Sequence, residues 1–198
     1  MALIGIKFRA YPSAKQKNTF SQWMGCARFI YNAKCEEQEY FYRFKTRYLP
    51  INTHAPVDQC YSQFKSKELT PWLYECPSIL LRNTAYTWKN TFFSFLKGEC
   101  GKPKKKKKGQ RDSIWLTSEL FRFEKNKLFI GSKKYNLGEL SFKAHRSFKE
   151  PKSIRIKKLM ANIMFLFVMI ISKLLRAKPK NNILSICQVA AEMNWQKV

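Results

Sequence analysis

Aspartate is almost missing from this chain: Asp58 and Asp112 are the only two in 198 residues. The acids number 13, against 38 lysines and arginines. Two-metal phosphodiester chemistry needs clustered carboxylates to hold its ions. Asp58 falls on a predicted helix, Asp112 at a linker's end, and the glutamates form no acidic constellation. Histidine is as scarce: His54 and His145 stand alone and read as surface or nucleic-acid contacts, not metal ligands. The six cysteines (Cys26, Cys35, Cys60, Cys76, Cys100 and Cys187) form no C-x-x-C and fit no zinc signature. Reduced thiols in a cytoplasmic protein are the default. Only seven glycines occur, with no phosphate-cradling loop and no nucleophile motif among them. The start reads as a strand and not as a signal peptide. The longest apolar run, about 13 to 17 residues from Leu159 and broken by Asn162, falls short of the roughly 20 that span a bilayer. These gaps leave no catalytic residue, metal or cofactor to assign.

What is abundant is positive charge. The formal net charge is +25 and the isoelectric point about 10.0, which points to a polyanionic partner. Hydrophobic residues make up 45%, enough for one good core or two small ones. Aromatics reach 15%. Base stacking is one use for them, and the core takes most.

Two periodicities meet near the N-terminus. Residues 3 to 9 alternate, with Lys7 and Arg9 on one side and Ile4, Ile6 and Phe8 on the other, as in a half-buried strand. Tyr11-Pro12 ends it. Ser13 and Gln16 have capping-box spacing, and Phe20, Trp23, Met24, Ala27, Ile30 and Tyr31 then follow helical spacing. That helix is expected to stop near residues 32 to 35, and a second to reach Tyr48. Residues 50 to 56 read as a loop, with a short helix from about Val57 to Leu69. Thr70-Pro71 and Ser78 look like caps. After Ser78, Leu81, Ala85, Trp88, Phe92 and Phe95 mark one helical face, and Gly98 is its stop. Residues 98 to 111 hold five consecutive lysines, Lys104 to Lys108. Strands are then expected at 113–117, 120–123, 128–130, 137–145 and 153–157, with a hairpin turn at E-K-N-K. Arg122, Lys143, Arg146, Arg155 and Lys157 would project from them.

The opening residues K-F-R-A-Y-P, then Gln16, then G-C-A-R-F-I-Y-N resemble the N-terminus of the OrfB/TnpB proteins of bacterial insertion sequences. The matching positions are Lys7, Phe8, Arg9, Tyr11, Pro12, Gln16, Gly25 to Phe29, Tyr31 and Asn32. Further resemblance lies in P-W-L, P-S, L-R-N, F-F-S-F-L-K-G, the basic linker, D-S-I-W-L, K-A-H-R and P-K-S-I-R-I-K-K. That family consists of RNA-guided DNA nucleases related to type V CRISPR effectors. Its N-terminal part is a wedge domain, an oligonucleotide-binding barrel interrupted by a helical recognition module labelled helix-turn-helix. Its catalytic acids and zinc-binding cysteines lie in a RuvC-like half that has no counterpart here. The resemblance implies that guide RNA and duplex DNA are held by this part.

The expected fold is therefore α+β: a small OB-like barrel interrupted by helices. Its parts are a first strand at 1–12, a helical module at 13–98, a basic linker at 99–112, strands at 113–158 and a divergent tail at 159–198. After Lys158 the family has a short G-K-Y-Y-V-S-F-like strand, where this chain reads K-L-M-A-N-I-M-F-L-F-V-M-I-I-S. A frameshift near Leu159 accounts for that, since another frame of AT-rich codons permits the family's strand. On this reading the tail is sticky, dispensable and weakly helical at its end. The functional expectation is a transposase fragment that binds guide-like RNA and DNA without cutting. The alternative is a basic protein held at anionic membrane by its apolar run. The candidate contacts are Lys7, Arg9, Arg28, Arg82, Lys89, Lys104, Lys105, Lys106, Lys107, Lys108, Arg111, His145 and Arg146.

Overall fold

Alternation at the N-terminus makes strand β1 (Ala2–Tyr11), with Phe8 and Ala10 buried and Lys7 and Arg9 exposed. The computed structural model describes residues 2–48, 57–110, 112–124, 127–132, 134–145, 148, 150–159 and 163–172. After Pro12, helix α1 (Ala14–Tyr48) starts at the expected box. The Ser13 N–H donates to Gln16 Oε1 at 2.9 Å, and the Gln16 N–H donates to Ser13 Oγ at 3.3 Å. Gln16 Nε2 also donates to the carbonyls of Leu137 and Glu139 at 2.9 and 2.8 Å. One buried glutamine thus caps the helix and ties it to the sheet.

α1 does not stop at residues 32 to 35; it is one helix of 35 residues. No glycine or proline interrupts that stretch after Gly25, so nothing in the backbone chemistry breaks it. Its stripe of Phe20, Trp23, Met24, Ala27, Ile30 and Tyr31 is buried as expected. The helix expected over 57–69 is instead a 3-10 turn (Ser62–Phe64), followed by a second (Pro71–Tyr74) with Pro71 in its first turn. Thr70 Oγ1 donates to Phe64 O at 2.9 Å, so this threonine closes the preceding loop and makes no cap bond.

Helix α2 (Ser78–Leu96) buries Leu81, Ala85, Trp88 and Phe92, while Phe95 packs partly buried. Pro77, not Ser78, occupies its N-cap, and no side chain caps it. Gly98 ends it with φ of 76°, and the Glu99 N–H reaches back to Ser94 O at 2.9 Å. That left-handed φ is the reason glycine suits the stop.

The remaining strands are β2 (Ser113–Thr117), β3 (Phe121–Glu124), β4 (Lys127–Ile130), β5 (Gly138–Lys143), β6 (Ser153–Leu159) and β7 (Ile163–Ser172). All ladders are antiparallel, in the order β2-β6-β7-β1-β5-β4-β3. The fold is α+β as expected, but the described ladders end at β2 and β3 and do not close a barrel. A tight turn separates those two strands: the Leu120 N–H donates to Thr117 O, and Leu120 O accepts from Gly131 at 2.9 Å. The β3–β4 hairpin is thereby folded onto that turn.

The apolar run expected to be dispensable behaves differently through residue 172. It forms β7, paired with β1 along 2–10 and with β6 along 153–159. A continuous apolar run suits an interior strand with neighbours on both edges. The inferred helix beyond residue 172, the loop at 50–56 and the middle of the E-K-N-K turn lie outside the described residues.

Candidate nucleic-acid interface

Strand pleating aims β1's polar residues away from the core. Lys7 and Arg9 are exposed on that side, and Arg9 lies directly opposite Lys143 of β5, also exposed. The Arg9 guanidinium sits 5.4 Å from the Tyr11 ring, itself half exposed. Lys157 of β6 shares this face, because Arg9 and Lys157 both pair with position 165 of β7. His145 is exposed, with its ring edge-on to Phe8 at 5.2 Å. Alternation thus builds a sheet face carrying cations and an aromatic ring, the composition that tracks a phosphate backbone.

A second group gathers where α1 meets β2 and β6. Arg28 donates from Nη1 to Asp112 Oδ1 at 2.9 Å. Asp112 Oδ2 accepts the Gly109 N–H at 3.1 Å, pinning the end of the lysine loop. The middle of that loop is fixed by Asn32, which donates to Lys106 O at 3.0 Å and accepts the Lys106 N–H at 2.7 Å. The five lysines therefore differ. Lys104, Lys107 and Lys108 are exposed, and Lys105 pairs with Glu36 at 3.0 Å. Lys106 is half-buried, with Nζ 3.9 Å above the Tyr31 ring. Burial pushes its ammonium pKa down, and the Arg155 guanidinium adds to that. Burial also lowers Arg155. Tyr31 is pushed up to about 12, chiefly by its own burial.

Along α1 an open groove of about 760 Å³ is lined by Arg28, Phe29, Tyr40, Phe64 and Trp72, together with Glu36 and Glu37. Trp72 meets Phe29 edge-on at 6.0 Å and is 45% exposed, so it offers a stacking surface. The two glutamates make that groove less suited to phosphate.

Of the residues singled out in the sequence, Lys7 and Arg9 share the sheet face, and Arg28, Lys106 and Lys108 surround Asp112. Arg82 is exposed on α2, and Lys89 lies 5.8 Å from the Phe93 ring; both stand outside these groups. Arg111 and Arg146 fall outside the described residues. Arg155, Lys158 and Lys143 were not among those candidates. Strand alternation marks Arg155 and Lys143 as projecting residues, yet only the cavity that Arg155 lines with residues of α1, α2 and β2 shows what it faces. Arg122, also on a strand, is paired with Glu124 at 2.6 Å. Among the described residues no three His, Cys, Asp or Glu side chains lie together as a metal site, and no helix is long and apolar enough to cross a membrane.

Residues 1–45 match the family model of a helix-turn-helix domain of the OrfB type from IS605-like insertion sequences. A search of curated proteins finds no match to the chain. The matched stretch is similar to a transposase-associated DNA-binding domain. In this structure it holds β1 and most of α1, and no turn divides the helix.

Proposed function

We propose that the chain is a phosphate-tracking nucleic-acid-binding fragment of a TnpB-like transposase, taking guide-like RNA and DNA and cutting neither. The observation that supports it most is the sheet face: Lys7 and Arg9 point outward from a strand whose other side is core, with Lys143 opposite Arg9. The family match over the same strand and helix favours the same reading. The contact set is Lys7, Arg9, His145 and the lysine loop, with Arg82 and Lys89 as peripheral members. The open sheet serves as the wedge-like platform of the family, and the divergent residues after Lys158 arise from a frameshift that still supplies an apolar strand.

A salt titration of guide-like RNA, scrambled RNA, duplex DNA and anionic vesicles tests it. With roughly six phosphates neutralised, log K should fall with log salt at a slope of about −4 to −5. Vesicle binding that exceeds RNA binding, or a flat salt dependence, would sink the proposal in favour of the membrane reading. Incubation with magnesium or manganese, guide-like RNA and target DNA should yield no guide-dependent cleavage. Cleavage that persists in Asp58→Ala and Asp112→Ala proteins would show that this chain carries a catalytic centre after all. Sequencing the gene decides the frameshift: a codon series offering no family-like strand in another frame removes it.

A further inference from the structure

A small cavity of about 40 Å³ lies between α1, α2 and the sheet, lined by Arg28, Lys106, Asp112, Ser113, Trp115 and Arg155. Three cations face it and one carboxylate. That carboxylate is already occupied, since Oδ1 takes Arg28 and Oδ2 takes the Gly109 N–H. Among the described residues neither Lys106 nor Arg155 forms an ion pair. Nearby hydroxyls are committed to the helix: Thr84 donates to Leu80 O and Thr87 to Asn83 O.

Two half-buried cations that share one carboxylate already bonded elsewhere are costly unless something anionic joins them. The backbone of Lys106 is held in place from both sides by Asn32, so its position does not depend on the missing charge. From this arrangement we infer that the seam is a receptor for one phosphate group of a nucleic acid, gripped by Lys106 and Arg155 with Arg28 at its rim. This rests on the nucleic-acid reading and adds a specific anchor to it. A phosphate oxygen accepts from an ammonium and a guanidinium at once, forming the short charge-assisted bonds that a buried pair of donors favours. The lowered Lys106 pKa, caused by burial and by the Arg155 guanidinium, fits a site in which a bound anion favours the charged ammonium. A larger cavity of about 260 Å³ adjoins it across the Arg28–Asp112 pair, with Lys108 and Lys158 in its wall. It gives the same strand a cationic route out of the seam.

The test uses the full chain and two probes, a fluorescein-labelled oligouridylate and inorganic phosphate at constant ionic strength. Arg155→Gln should weaken oligouridylate binding about tenfold, as for loss of a charged hydrogen bond. It should flatten the salt slope by about one. Lys127→Gln, at an exposed lysine paired with Glu139 away from the seam, should change affinity about twofold or less. In the unsubstituted chain, phosphate should protect Lys106 but not Lys104 from an amine-acylating reagent, read by peptide mass spectrometry, and Arg155→Gln should abolish that protection. An Arg155→Gln protein that binds oligouridylate with unchanged affinity and slope overturns the proposal. So does Lys106 acylation that ignores phosphate, a result that needs no variant to fold. If phosphate protects Lys106 while the unsubstituted chain binds no nucleic acid, the receptor stands and the nucleic-acid reading fails.

Discussion

Lys34 and Lys106 are two lysines held against aromatic rings in one molecule, one buried and one half-buried, and their surroundings are opposite. Lys34 is fully buried in the helical module, 5.4 Å from the Trp88 ring. It donates to Glu37 Oε2 at 2.6 Å and to Asp58 Oδ1 at 2.8 Å. Burial alone would lower its pKa, but the hydrogen bonds to Asp58 and Glu37 overcome that and raise it. Lys106 sits over Tyr31 with Arg155 as its charged neighbour and is pushed the other way. The fold pairs one cation with two carboxylates, while near the other the Asp112 carboxylate is bonded to Arg28 and Gly109. The first is a structural tie between α1 and the segment after residue 56. The second is left for a partner to complete.

Lys34→Ala should show the largest effect. Removing the cation leaves two acids facing each other over a cavity, and stability should fall by about 3 kcal/mol. Urea unfolding followed by circular dichroism checks it, and a loss below about 1 kcal/mol would mean that Lys34 is not a tie. The salt slope of RNA binding by the folded fraction should not move.

The pH dependence follows from the same group. Lys34 is raised, so its contribution is full below the unfolded lysine value near about 10.4 and is lost as pH climbs through its folded value. Asp58 is lowered: burial opposes this, and the hydrogen bond from Lys34 outweighs burial. Its contribution is full above about 3.9 and is lost as pH falls through its folded value. The stability gap between the natural chain and Lys34→Met should therefore be flat between about pH 4 and 10 and narrow outside it. Urea midpoints measured across that range, with a gap that widens in acid, would contradict the assignment.

Asp112→Asn should have a smaller effect of mixed sign. The loop keeps an acceptor for Gly109 but Arg28 loses its ion partner, so stability should drop by about 1 kcal/mol. RNA affinity should rise a few fold, because among the described residues Asp112 is the seam's one carboxylate. Calorimetric melting and the same titration measure both. Least of all, Lys104→Ala or Lys107→Ala should leave stability within about 0.5 kcal/mol. Each should lower the salt slope by about 0.7 to 0.9, and by no more than its single contact.

The sequence makes legible whatever depends on local chemistry. Alternation placed Lys7 and Arg9 outside and Phe8 inside; Ser13 with Gln16 marked the start of α1, and Gly98 the end of α2. At residues 32 to 35 Lys34, Glu36 and Glu37 interrupt the apolar stripe, so the local pattern suggests an end that the backbone does not make. A helix continues through polar residues when nothing opposes its backbone, and here two of those polar residues satisfy each other inside. Burial of Lys34 depends on Asp58, 24 residues away, and burial of Lys106 on Asn32, 74 away. No window of local pattern contains those partners. The open sheet and the role of 163–172 were hidden for a similar reason: an apolar run states that it wants cover without stating what will cover it.

The placement of β7 has a consequence for how the chain comes together. Without it, β2–β6 and β1–β5–β4–β3 share no ladder. β1 leaves the ribosome first, yet most of its edge waits for residues 163–172, while β5 covers only residues 9–11. The helices can form early from local contacts, but joining the two half-sheets closes a loop of most of the chain, the kind of step that slows folding. Until then β1 and β6 each present an open edge, and a chain stopped before β7 would be prone to pair with its neighbours.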